Sequence, residues 1–137
     1  MALVMKKIFT LLILIFTLLT FTACEFGDDI DVGDAYNFKV ISADGPFTGF
    51  YVVDGSSSKY FDSNAVDGTI FHSFEKNLSS PSSIYIFATG EDTSATSISI
   101  YIYADSLLVK DITSTQSTDI NGNPLKVTAS LSYSFSE

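Results

Sequence analysis

Ser83–Ala104 reads SIYIFATGEDTSATSISIYIYA, two runs of alternating side chains separated by a polar stretch of glycine, acids, serine and threonines. In the first run, Ser83 to Thr89, one side carries Ile84, Ile86 and Ala88; in the second, Ser97 to Ala104, it carries Ile98, Ile100, Ile102 and Ala104. A period of two marks a half-buried strand, because successive side chains point to opposite faces of a sheet. These two runs are expected at the centre of the core. Tyr85, Tyr101 and Tyr103 take the opposite faces, where a ring covers the sheet while its hydroxyl stays wet.

The same period runs outward in both directions. Upstream, Tyr36 to Ala43 places Tyr36, Phe38 and Val40 on one face, Asp44-Gly45-Pro46 breaks the run, and Phe47 to Asp54 is expected to return as its hairpin partner. Asp54-Gly55 is a strong hairpin dipeptide and leads to a short edge strand, Lys59 to Ser63. Asp67-Gly68 turns the chain into Thr69 to Lys76, with Ile70, His72 and Phe74 on one face and Phe71 on the other; a loop around Asn77 to Ser82 follows, where Pro81 stops the ladder. Downstream, Leu107 to Thr113 follows a tight turn at Ala104-Asp105-Ser106. Asn121-Gly122-Asn123-Pro124 then precedes the cleanest alternation in the chain: Leu125, Val127, Ala129, Leu131, Tyr133 and Phe135. No segment reads as an amphipathic helix. Eight candidate strands within residues 36–137, joined by hairpin-length connections without crossover helices, predict an all-β domain: an antiparallel two-sheet β-sandwich, immunoglobulin-like or related. A small closed β-barrel is the alternative.

Residues 1–23 read as an export signal. Lys6 and Lys7 precede an apolar run from Ile8 to Leu19, and small residues follow before Cys24, the charged, apolar, small order of a secretory leader. Phe21 to Cys24, FTAC, resembles the lipobox of bacterial lipoproteins, in which a small residue precedes the cysteine that is acylated and becomes the new N-terminus; Phe21 stands where leucine is commonest. The resemblance implies a diacylated or triacylated Cys24, a lipid bilayer as partner, and a place in the bacterial cell envelope on either the inner or the outer membrane. Met5, directly before the two lysines, makes a tidier start than Met1. An uncleaved membrane anchor is the alternative, although Ile8 to Leu19 is shorter than the roughly 20 residues a spanning helix needs.

Cleavage before Cys24 leaves 114 of the 137 residues, with five lysines against 16 acids, a net charge of −11, and no arginine. Such a surface repels nucleic acid and anionic headgroups, and the missing arginine removes the usual bidentate reader of phosphate and carboxylate. Cys24 is the only cysteine, so no internal disulfide forms and lipidation is its expected role. Residues 24–35 read as an acidic tether: Glu25 to Asp34 holds five carboxylates and two glycines without apolar periodicity. Asp29, Asp31 and Asp34 raise a calcium loop as the alternative, but Gly33 and Val40 stand where EF-hand ligands belong.

Chemistry has few candidates. His72 is the sole histidine and reads as a structural residue at a sheet edge. No Gly-x-Ser-x-Gly elbow accompanies it, and with Cys24 lipidated the ligands for zinc run out. Glu75, Glu91 and Asp92 are the acids near loops that a glycosidase pair could draw on. No metal, cofactor or catalytic residue is therefore expected. Aromatics are the stronger signal, since Phe47, Phe50, Tyr51, Tyr60, Phe61, Phe71 and Phe74 crowd one part of the chain. They fill the core or build a lipid-, glycan- or protein-binding face.

The block from Phe50-Tyr51-Val52-Val53 through Ser83–Ala88 to Ser99–Asp105 is faintly similar to the small mycobacterial membrane protein family of transport accessories. That resemblance implies an aromatic-rich sandwich behind an N-terminal membrane anchor. The chain lacks the cysteine pair often seen in that family and carries a lipobox in place of its anchor helix. The expected function is a non-enzymatic structural or interaction module of the envelope that meets another envelope protein or an apolar ligand; the alternative is a ligand-binding transport accessory with an aromatic-lined cavity.

Overall fold

Each alternating run becomes a strand in the computed structural model, which describes residues 35–135. The segments expected as leader (1–23) and tether (as far as Asp34), with Cys24 and the Asp29, Asp31, Asp34 cluster, lie outside the described residues. In chain order the strands are β1 (Ala35–Ala43), β2 (Phe47–Val53), β3 (Lys59–Asp62), β4 (Asn64–Ala65), β5 (Phe71–Ser79), β6 (Ser83–Gly90), β7 (Ser97–Ala104), β8 (Leu107–Thr115) and β9 (Thr128–Ser134). They form two antiparallel sheets, β4-β5-β1-β7-β8 and β3-β2-β6-β9. The fold is the expected two-sheet sandwich. The barrel alternative fails, because each sheet keeps two unjoined edges.

The two runs that open the sequence argument sit inside different sheets. β7 lies between β1 and β8, with Ile98, Ile100 and Ile102 inward; β6 lies between β2 and β9, with Ile84, Ile86 and Ala88 inward. Facing one another, these rows exclude water from both sheets, which is the dominant favourable contribution to folding. Phe38, Val40, Phe47, Tyr51 and Phe61 complete the centre, and Ala129 and Leu131 close it on the β9 side. Phe61 stacks on Phe74 at 4.4 Å and Phe38 leans on Tyr51 at 5.0 Å, so aromatic contacts bridge the two sheets.

The expected hairpin between the first two strands does not form. β1 pairs with β5 and β7, whereas β2 pairs with β3 and β6. Asp44-Gly45-Pro46 carries the chain across the sandwich: Asp44 adopts φ 67° and donates its N–H to the Ile70 carbonyl at 2.9 Å. Buried Ser42 donates its hydroxyl to the Gly45 carbonyl at 2.5 Å. The physical reason is coverage, since Phe38 of β1 and Tyr51 of β2 bury each other across the interior rather than side by side.

Other boundaries move for similar reasons. The strand expected at Thr69 to Lys76 is β5, which starts at Phe71 and runs on to Ser79, because the beginning of β1 supplies partners for Asn77, Leu78 and Ser79. Ile70 lies outside the ladder and is exposed. β4 is a ninth strand that the alternation does not announce; its two residues cover the flank of β5 and so remove His72 from the edge where it was expected. The last ladder begins at Thr128 rather than Leu125. Leu125 is exposed and donates to the Ser117 carbonyl, while the inward phase survives through Val127, Ala129 and Leu131. Asp119 organises the loop before it: its carboxylate accepts from the backbone N–H of Asn121 and Asn123 and from Asn123 Nδ2 at 2.8–3.0 Å.

Candidate binding surface

The alternation that buries Phe47, Gly49 and Tyr51 turns Thr48, Phe50 and Val52 to the outside of the four-stranded sheet. Register then aligns the aromatics. Tyr60 on β3 and Phe87 on β6 both stand directly opposite Phe50, and Tyr85 stands opposite Val52 one step along. The Phe50 ring lies 5.4 Å from Phe87 in a stacked arrangement, and 6.0 Å from both Tyr60 and Tyr85. Cross-strand aromatic pairs of this kind stabilise the sheet by about 0.2–1 kcal/mol each. They also leave apolar surface in water: Tyr60 is 81% exposed and Tyr85 is 38% exposed. On β9, Ser130 and Ser132 continue the rows with hydroxyls.

Gly49 permits this two-sided arrangement. A Cβ there would come 2.6 Å from Phe61 Cζ and would also strike the Phe87 carbonyl oxygen. Its absence lets Phe61 lie under β2 while Phe50 and Phe87 stack above. The outside of the five-stranded sheet differs in character, since Asn37, Lys39, Ser73, Glu75, Ser99 and Thr113 share it with Tyr101 and Tyr103.

The seven crowded aromatics therefore divide. Phe47, Tyr51, Phe61 and Phe74 belong to the core or pack on it; Phe50 and Tyr60 belong to the outer face; Phe71 is exposed at the start of β5. Phe87 is a member of the face that crowding along the chain does not reveal. Its signal is phase, because it alternates out of step with Ile84, Ile86 and Ala88.

The candidates for chemistry are not brought together. His72 stands half-buried opposite Ser42 and Ala65. Glu75 points from the other face of β5, where its Oε1 accepts from Asn37 Nδ2 at 3.2 Å. Glu91 and Asp92 lie in the connection between β6 and β7, and Asp92 accepts from the backbone N–H of Ser94 at 2.7 Å and from its hydroxyl. The Ser94 hydroxyl, then its N–H, hold the Asp92 carboxyl below its ordinary pKa. Among the described residues, no group of three His, Cys, Asp or Glu side chains gathers to hold a metal ion.

Two open clefts lie at the end of the sandwich where β1 begins. One, of about 470 Å³, is lined by residues including Tyr85, Tyr133, Lys110, Ser83 and Ser132; the other, of about 440 Å³, is lined by Tyr36, Asn37, Asn77 and Leu78 among others. Lys110 Nζ donates to the Ser132 carbonyl at 3.0 Å and so spans the gap between β8 and β9. Neither cleft is lined by His72, Glu75, Glu91 or Asp92.

Fold and surface together define an antiparallel β-sandwich with one aromatic and one mainly polar outer face. No family model, no curated protein and no solved structure matches the chain.

Proposed function

We propose that the chain is a lipoprotein of the bacterial cell envelope, anchored through acylated Cys24, whose sandwich works as a non-enzymatic interaction module and meets its partner through the outer face of the four-stranded sheet. The observation that carries the reading is the continuous row Tyr60, Phe50, Phe87 with Tyr85 beside it. Rings held at a solvent-facing sheet surface keep apolar area in water that a partner would remove, and contiguous exposed apolar patches mark interaction sites. The charged-then-apolar order of residues 6–19, the FTAC segment and the place of the lone cysteine at its end support the envelope setting.

A photo-crosslinking amino acid at position 60 tests this in intact cells, with the same group at position 101, on the polar face, as reference. Adducts to an envelope component are expected from position 60 and not from 101, and their yield should fall when Phe50 and Phe87 are both replaced by serine. Equal adducts from both positions would overturn the assignment of the face. The ligand-binding alternative has one observation in its favour, the cleft walled by Tyr85 and Tyr133. Saturable uptake of an apolar dye that is blocked by Tyr133→Ala but not by Tyr60→Ala would favour it.

A further inference from the structure

The β7–β8 turn is tied to the start of β1. Asp105 donates its N–H to the Ala35 carbonyl at 3.0 Å, and Ala35 donates its N–H to Asp105 Oδ1 at 3.2 Å. Immediately beyond the turn, Leu107 is 71% exposed and Leu108 is 51% exposed. A single exposed leucine needs no explanation. Two in succession at the start of β8, opposite Ala104 and Tyr103, put apolar surface on both faces of the hairpin tip, a short prow beside the place where the chain from Asp34 arrives.

We propose that Leu107 and Leu108 insert shallowly into the lipid bilayer that holds acylated Cys24, so that the sandwich stands on its β7–β8 hairpin. The inference rests on the reading of Cys24 as a lipid anchor. Ten residues, Glu25 to Asp34, separate Cys24 from Ala35, and at about 3.3–3.6 Å per residue the spacer reaches no more than about 33–36 Å. Because the spacer ends on the very turn that carries the leucines, this end of the domain is the one the anchor holds within reach of lipid. Tethering raises the effective concentration of bilayer at the leucines, so a contact too weak to capture a free domain is populated in an anchored one. At this end Asp105 accepts from the Ala35 N–H at 3.2 Å and Asp54 from the N–H groups of Ser82 and Ser83 at 2.8 and 2.7 Å; together with the carboxylates of the spacer they favour an uncharged bilayer, because anionic headgroups would repel them. An apolar contact of this kind is insensitive to salt, unlike attraction to charged headgroups.

The chain contains no tryptophan, so one introduced indole reports one site. Full-length acylated protein carrying Leu107→Trp or Leu108→Trp, both at exposed positions, is reconstituted into phosphatidylcholine vesicles beside Ile120→Trp, which replaces a fully exposed side chain in the β8–β9 loop at the opposite end. The indole at 107 or 108 is expected to emit at shorter wavelength than the one at 120. Brominated acyl chains should quench it several-fold more, at low and high salt alike. Flotation of the same samples separates the two readings. A chain that floats with vesicles while all three indoles emit and quench alike overturns the insertion and leaves the anchor; a chain that does not float overturns both.

Discussion

Phe61 shows how one side chain links the layers of this molecule. It is 5% exposed, stacks on Phe74 of the opposite sheet and touches the rings of Phe38, Phe47 and Tyr51. Phe61→Ala is expected to destabilise the domain by about 3–5 kcal/mol, the range for emptying an aromatic site in a core, and denaturant unfolding measures it. Asp119 works through hydrogen bonds instead. The Asn123 side chain first, then backbone N–H groups of its loop, lower the Asp119 pKa from the ordinary carboxyl value. Its stabilising effect is therefore present above the unfolded-state pKa and is lost as pH falls through the lower folded-state value. Thermal unfolding should show a steeper loss of Tm on acidification below about pH 4 in the wild type than in Asp119→Ala; superimposable profiles would remove Asp119 from the account.

At the scale of elements, β9 carries a disproportionate part of the fold. Among the described residues it pairs only with β6, yet Ala129 and Leu131 close one side of the core, and the Val127 carbonyl just before it accepts from the Gly90 N–H. A chain ending at Pro124 exposes the flank of β6 and leaves Ile86 and Ala88 without cover from that side. Loss of the strand signal in circular dichroism and of cooperative unfolding is expected, and a truncated chain that still melts cooperatively would contradict this. β8 differs. A register shift between Ile102 and Tyr103 sets Ile102 opposite Lys110 and Tyr103 opposite Leu108, skipping Val109. Such a bulge bends an edge strand and discourages open-ended pairing with other chains.

For the whole molecule, the proposed anchor makes a strong prediction because a single atom carries it. If the Cys24 sulfur bears the acyl chains, Cys24→Ser should leave a folded sandwich in the soluble fraction, since two chains or more are needed for stable anchoring and an unacylated domain has none. Fractionation with a folding check by circular dichroism decides this; a variant retained in the membrane would favour an uncleaved leader helix. The aromatic face and the leucine prow are separate surfaces, one on the outside of a sheet and one at the end where β1 begins, so the domain could be held to lipid and still offer its rings to a partner.

Much of the architecture is local and was legible in the chain. Alternation at Ile84–Ala88 and Ile98–Ile102 identifies strands and their buried faces, and Asp-Gly steps at Asp44, Asp54 and Asp67 mark three of the breaks, because side-chain direction and turn geometry depend on neighbouring residues alone. Which strands join is not local. The polar break at Asp44-Gly45-Pro46 is compatible with a hairpin or with a crossing between sheets, and burial of Phe38 against Tyr51 decides for the crossing. The aromatic face has the same origin. On β2 both phases are apolar, Phe47 and Tyr51 on one and Phe50 and Val52 on the other, so period alone does not say which rings meet water. Register against β6 does, by setting Phe50 beside Phe87 and Tyr51 beside Ile86, and that choice depends on what lies across the core, a matter of tertiary packing rather than of any stretch of sequence.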